Sequence, residues 1–190
     1  MKKIVVTGAG AVLGQGVIKS LRSASLPCEI IALDPNPLSP GLYWADKALI
    51  IPMASDPGYE DAIERILDSE MPDAVLVGTD VELSIFAERR AEWEARFETH
   101  ILVSNNDVVE IADDKYATAQ FLEQHGLSYP ISVKAEDRDA LLQLVAEVGF
   151  PLIVKPRRGA RAVGVSKVNN MTELEATIAD RADLVVQQMA

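Results

Sequence analysis

Gly149-Phe150-Pro151-Leu152-Ile153-Val154-Lys155-Pro156-Arg157-Arg158-Gly159-Ala160-Arg161-Ala162-Val163-Gly164-Val165 is the stretch on which the reading of this chain turns. A short apolar run ends at a lysine, a loop rich in arginine and glycine follows, and a second β-branched run begins at Val163. Apolar runs this short, bounded by Gly and Pro, read as strands rather than helices. Two strands joined by a loop form a hairpin, and therefore an antiparallel pair. Working outward, the pattern predicts strands over 131–133, 152–155, 163–168 and 184–187, with helices over 137–148 and 171–179, the second capped near Asn170. The result is a small α+β lobe.

Further upstream the logic changes. Short apolar strands over 3–7, 29–33, 48–51, 74–77 and 101–103 alternate with helical spacing over 11–23, 59–69 and 81–97. Strands of this kind separated by amphipathic helices imply a parallel sheet covered on both faces. Right-handed crossovers then make it an open, doubly wound α/β layer. A linker at Ser104-Asn105-Asn106-Asp107 leads through a short helix ending near Ile111. Asp113 and Asp114 can cap a helix running from Lys115 to about His125, which Gly126 ends. These signals divide the chain into 1–112, the doubly wound domain, and 113–190, the α+β lobe.

Composition narrows the partners. A 190-residue chain that is 48% hydrophobic can bury a substantial core. Its net charge of −11 argues against nucleic acid or an anionic membrane. Arg157, Arg158 and Arg161 form a local cationic island suited to a small anionic ligand, or simply a solvated loop. The single cysteine, Cys28, excludes an internal disulfide and reads as a buried structural thiol. No secretory core or membrane-length apolar run is visible, so a cytoplasmic protein is expected.

Two groups of residues could carry chemistry. Thr7-Gly8-Ala9-Gly10-Ala11-Val12-Leu13-Gly14 joins the first strand to the first helix, and Asp34 ends the second strand. A glycine turn followed by a strand-end carboxylate fits a dinucleotide, with phosphate on the helix start and ribose on the acid. The same glycines can serve only close helix-to-strand packing, and Asp34 can serve the turn at Pro35-Asn36-Pro37. No hydride-transfer constellation follows. Asp80 and Glu82 sit beyond the fourth strand, where open sheets place ligands, although Asp80 can also be a helix start.

The second group is Lys115 and Lys155, forty positions apart. Lysine is a compact point charge suited to phosphate, and a loop with Gly159 and Gly164 can fold over one, with amides near Ala160 donating. Taken singly, Lys115 can be a solvated residue of a first helical turn. Lys155 can be an edge-strand lysine that blocks aggregation.

With these residues quoted, residues 113–190 resemble the N-terminal lobe of the ATP-grasp superfamily. Asp114-Lys115, Phe121 to Leu127 and Tyr129-Pro130 resemble its entry, Gly149 to Pro156 its central strand, and Val185-Val186-Gln187-Gln188-Met189 its adenine-side hinge. The first hundred residues resemble the Rossmann-like domain that precedes it. Gly41-Leu42-Tyr43-Trp44-Ala45-Asp46-Lys47 is typical of members like carbamoyl-phosphate synthetase.

The resemblance implies an ATP-dependent carboxylate–amine or carboxylate–ammonia ligase working through an acyl phosphate. By it, Lys115, Lys155, Arg158, Gly159, Ala160 and Gly164 would meet ATP phosphates, while Gln187, Gln188 and Met189 would border adenine. Asp80 and Glu82 would lie toward the acceptor substrate. The loop departs from the family's glycine-rich pattern by carrying three arginines, and Gln188 stands where relatives often place an acid.

The family's C-terminal lobe, which holds the magnesium ligands, would lie outside this chain. The expected cofactors are thus ATP and Mg2+. The expected partners are a small carboxylate substrate and that lobe or a separate subunit. A homo-oligomer is one arrangement that an uncovered apolar face would allow. Without the lobe the chain is expected to be inactive alone. Two other readings stay open from sequence: an NAD(P)-dependent oxidoreductase or epimerase using Gly8, Gly10 and Asp34, and a non-catalytic nucleotide-binding module.

Overall fold

The structure, a computed structural model, describes residues 1–159, 162–179 and 181–189. It separates into two compact units, Met1–Asn106 and Asp107–Ala190. The division falls one residue into the short helix that the sequence reading assigned to the first domain.

The first unit is built on a five-stranded sheet of β1 (Lys2–Val6), β2 (Cys28–Asp34), β3 (Lys47–Ile50), β4 (Ala74–Leu76) and β5 (His100–Leu102), ordered β3-β2-β1-β4-β5. Every pair is parallel, with Val6 opposite both Ala32 and Leu76. Helices α1 (Val12–Ser23), α2 (Tyr59–Glu70) and α3 (Leu83–Phe97) supply the crossovers.

Strand alternation divides the core into two layers. Val5, Ile31, Leu33 and Val75 pack with Tyr59, Phe86 and Trp93 from α2 and α3. Their strand neighbours Ile4, Val6, Ile30 and Ala32 pack on the other face with Ile18 of α1. The sheet is therefore doubly wound, and its order reverses between β1 and β4. Cys28, at the start of β2, is half-buried rather than buried. The helix expected from 81 begins two residues later, because a 3-10 turn at Asp80–Glu82 precedes it.

The second unit carries α4 (Asn106–Asp113), α5 (Lys115–Gln124), β6 (Ser132–Lys134), α6 (Arg138–Val148), β7 (Leu152–Pro156), β8 (Ser166–Val168), α7 (Met171–Ile178) and β9 (Leu184–Gln188). The strands form an antiparallel sheet ordered β6-β9-β7-β8. Side chains cap three helices: Asp114 accepts from Tyr116 and Ala117, Asp137 from Ala140, and Asn170 from Glu173. Leu141 and Leu144 of α6 and Leu174 of α7 pack against Leu152, Val154, Val168 and Val186 on one sheet face.

The strand expected over 163–168 is shorter than predicted. Val165 N donates to the Ala162 carbonyl in a turn, and Ala162 and Gly164 take positive φ values of 57° and 75°. Pairing therefore starts only at Ser166. Among the described residues no helix is long and apolar enough to cross a membrane.

Candidate functional site

Lys155 lies on β7, which is flanked by β9 and β8. It is an interior strand, so the lysine does not guard an edge. Leu152 and Val154 face the core, and alternation turns Lys155 to the opposite face. There it lies diagonal to Gln187, because Lys155 pairs with Val185 and Ile153 with Gln187. Its ammonium donates to Gln187 Oε1 at 2.6 Å, and Gln187 Nε2 donates to Ser132 Oγ at 2.8 Å. Burial, joined by the nearby Lys115 charge, holds the Lys155 ammonium below its ordinary pKa.

Lys115 arrives from the first turn of α5. Its backbone N–H donates to the Arg157 carbonyl at 3.0 Å. Its ammonium donates to the carbonyls of Arg157 (3.2 Å) and Gly159 (2.8 Å). Lys115, Lys155, Arg158 and Gly159 together line a cavity of about 120 Å3, walled also by Ala162 and Val163. Among the described residues neither lysine is paired with a carboxylate. Arg158 is exposed and lies 3.4 Å from Asp113.

Among the described residues, two lysines without carboxylate partners and the Arg158 guanidinium therefore border one cavity. The cavity is smaller than the roughly 300–1,000 Å3 of a complete small-molecule pocket, and it fits a phosphate-sized group.

The remaining expected residues are more scattered. Gly164 is exposed, and its carbonyl accepts from Arg181. Gln188 is half-buried, pairing its backbone N–H with the Ile131 carbonyl and its side chain with Ile131 N. Met189 is exposed beyond β9. Ala160 and Arg161 lie outside the described residues. No group of acidic, His or Cys side chains suited to a metal occurs among the described residues.

What the sequence reading missed is the role of Arg157. It treated Arg157 as part of a cationic island, but its guanidinium grips buried Asp114 through Nε (3.1 and 3.2 Å) and Nη2, and reaches Asp183 at 3.2 Å. The available signal was the register of the two aspartates relative to Lys115 and β9.

In the first unit, Gly8, Asp34, Thr79 and Glu82 border a second cavity of about 160 Å3 at the C-terminal ends of the strands. The glycine turn does not favour a dinucleotide. Ala9 N donates to the Leu33 carbonyl, Gly10 N to Asp34 Oδ2, Ala11 N to the Gly8 carbonyl and Gly14 N to the Gly78 carbonyl. These amides are therefore spent within the protein. A Cβ on Gly14 would meet the Gly8 carbonyl oxygen at 2.1 Å, so this glycine is required for helix-to-strand packing. Asp34 is equally occupied, accepting from Gly10 N, Asn36 N and Ser39 Oγ. It serves the turn. Exposed Asp80 accepts from Thr79 Oγ1 and Val81 N, which starts the 3-10 turn.

Glu82 is buried and tied to two elements, accepting from Thr7 Oγ1 at 2.6 Å and Tyr59 Oη at 2.5 Å. Burial pushes its carboxyl above the ordinary 4.5. The Thr7 and Tyr59 hydrogen bonds pull the other way, and the Asp34 charge adds to the rise. A raised folded-state value means that its stabilising contribution is complete below 4.5 and fades as pH rises through that folded value. Glu82→Gln should therefore lose less stability than the parent between mildly acidic and neutral pH. Urea unfolding at both pH values checks this; identical pH profiles would contradict the buried-carboxyl account.

Residues 4–102 match the family described as PylC-like, N-terminal domain, and residues 129–186 match the one described as D-ala D-ala ligase C-terminus. The carbamoyl phosphate synthase large chain of Methanosarcina acetivorans is 23% identical over 180 residues, covering 86% of this chain and 16% of the relative. That of Myxococcus xanthus is 28% identical over 189 residues, covering 92% and 17%. The chain thus spans under a fifth of these relatives.

Among solved structures, N5-carboxyaminoimidazole synthetase from Staphylococcus aureus, complexed with ADP, superposes with a TM-score of 0.74 at 17% identity. The match covers 99% of this chain and 47% of that one. The fold is shared, from the doubly wound sheet through the antiparallel lobe. The chain belongs to the PylC-like N-terminal domain family, and in sequence and fold it is similar to ATP-grasp proteins of the carbamoyl-phosphate-synthetase type.

Proposed function

We propose that this chain supplies the nucleotide-phosphate side of an ATP-dependent ligase that joins a small carboxylate to an amine or ammonia. The observation that carries this reading is the convergence of Lys115 and Lys155 on one cavity, neither balanced by a carboxylate among the described residues. A preorganised pair of cations is costly to maintain unless an anion relieves the repulsion. ATP, when bound, supplies the phosphoryl group that activates the carboxylate.

The chain's own residues hold and orient phosphate oxygens. Lys155 does so from a rigid strand and Lys115 from a helix start, with Arg158 at the mouth. Gln187 orients the Lys155 ammonium through its Oε1. No group of three or more acidic, His or Cys side chains that could hold a metal occurs among the described residues. The relatives extend well beyond the span that this chain matches.

Calorimetric titration of the chain with MgATP, and in parallel with NADH, tests the reading. Binding of MgATP that tripolyphosphate competes away, with no heat from NADH, is the expected result. NADH binding that Gly10→Val abolishes would instead restore the dinucleotide reading. Failure of MgATP to bind at all would remove the lysine pair as a nucleotide site in this chain.

A further inference from the structure

We propose that Asp114 and Arg157 are positioning residues, which set the mutual placement of Lys115 and Lys155 without touching the ligand. The inference rests on the phosphate reading of the lysine pair. Asp114 is 3% exposed and performs two tasks at once. It caps α5, accepting from Tyr116 N at 2.9 Å and Ala117 N at 3.3 Å. It also receives the Arg157 guanidinium through Nε and Nη2, a forked geometry that lysine cannot reproduce.

Arg157 is anchored a third time at the start of β9. Its backbone N–H donates to the Asp183 carbonyl at 2.9 Å, and its side chain reaches the Asp183 carboxylate. The carbonyl of Arg157 in turn accepts from both the backbone and the ammonium of Lys115. One residue therefore joins the beginning of α5, the end of β7 and the beginning of β9. Lys115, Lys155 and Gln187 are carried by these same elements.

Neighbouring arginines thus do different work. Arg157 has its charge neutralised inside this network, with its side chain 19% exposed, whereas Arg158 borders the cavity. The ring of Tyr116 lies 5.9 Å from the Arg157 guanidinium and closes one side of the network. Displacing Lys115 by even an ångström would change how two ammonium groups share one phosphate, and geometry of that order controls binding and rate.

The test compares Asp114→Asn and Arg157→Lys with the parent, using two readouts. Asparagine is a good helix cap, so Asp114→Asn removes the ion pair and keeps α5. The first readout is MgATP affinity by calorimetry across a salt series, expected to fall about tenfold in each variant. The salt dependence should stay unchanged, since a group that touched the phosphate would alter it.

The second readout needs no ligand: the titration of Lys155 followed by NMR in 13C-lysine-labelled protein. With Lys115 released, Lys155 should titrate closer to an ordinary lysine. Circular dichroism shows whether each variant is folded. If MgATP does not bind the parent, the phosphate reading fails by itself, and the Lys155 titration still decides the positioning claim. A folded Asp114→Asn with unchanged Lys155 titration overturns the proposal. Parental MgATP affinity in that variant overturns it as well.

Discussion

Replacing Lys155 with methionine should weaken MgATP binding by roughly 10- to 150-fold, the equivalent of the ~1.5–3 kcal/mol contributed by a hydrogen bond to a charged group. The size follows from the lysine's setting. It projects from an interior strand, on the face opposite the core, with a neutral amide as its partner. Burial and the Lys115 charge already disfavour its protonated form. A bound phosphate reverses that balance, since an opposite charge favours the ammonium.

A pH dependence follows. Because Lys155 titrates below the ordinary 10.5, parental affinity should fall as pH rises into that depressed range, sooner than for an ordinary lysine. Lys155→Met should lack this early limb. Methionine keeps the length and apolar stem of the side chain, so circular dichroism should report an intact fold. Lys155→Arg retains the charge but offers a planar fork in place of a point charge, and it should restore only part of the affinity. Calorimetry at several pH values measures all three. Equal affinity in parent and Lys155→Met would remove Lys155 from the site.

The largest effect on stability is expected at Gly14. A methyl group there would sit 2.1 Å from the Gly8 carbonyl oxygen and 2.7 Å from its carbon, both backbone atoms that cannot swing aside. Overpacking of this kind costs up to ~3 kcal/mol or more, because α1 must move off the sheet. For a domain of this size, that corresponds to a fall in melting temperature of about 10 °C or more.

Gly16, two positions along the same helix, has no atom within 4 Å of its would-be Cβ. Gly16→Ala should therefore stabilise by up to ~1 kcal/mol, since alanine is the better helix former. Thermal unfolding of the two variants tests the contrast. An unchanged or raised melting temperature in the Gly14 variant would mean that Gly14 is not a packing glycine.

The glycine turn shows what a motif can and cannot establish. Its pattern says that backbone comes close to backbone after the first strand, and it does. Whether amides remain free for phosphate depends on Leu33, Asp34 and Gly78, which are distant in sequence from the turn. Asp34 likewise occupies the position of a ribose ligand, but it meets Ser39 and Gly10 instead. Only the folded chain shows how a carboxylate distributes its lone pairs.

The sequence by itself determined the two architectures. Apolar period and strand length separate a parallel, doubly buried sheet from an antiparallel one with a single buried face. Side-chain caps such as Asp114, Asp137 and Asn170 mark where helices start, and these signals are local. Tertiary structure decided the rest. It made β7 an interior strand, took Arg157 out of the cationic island and into a clamp on Asp114, and spent the glycine-turn amides within the first unit. Each of those outcomes depends on a partner brought close by chain crossings that no local period encodes. A charge or an amide is free for a ligand only when no such partner has claimed it.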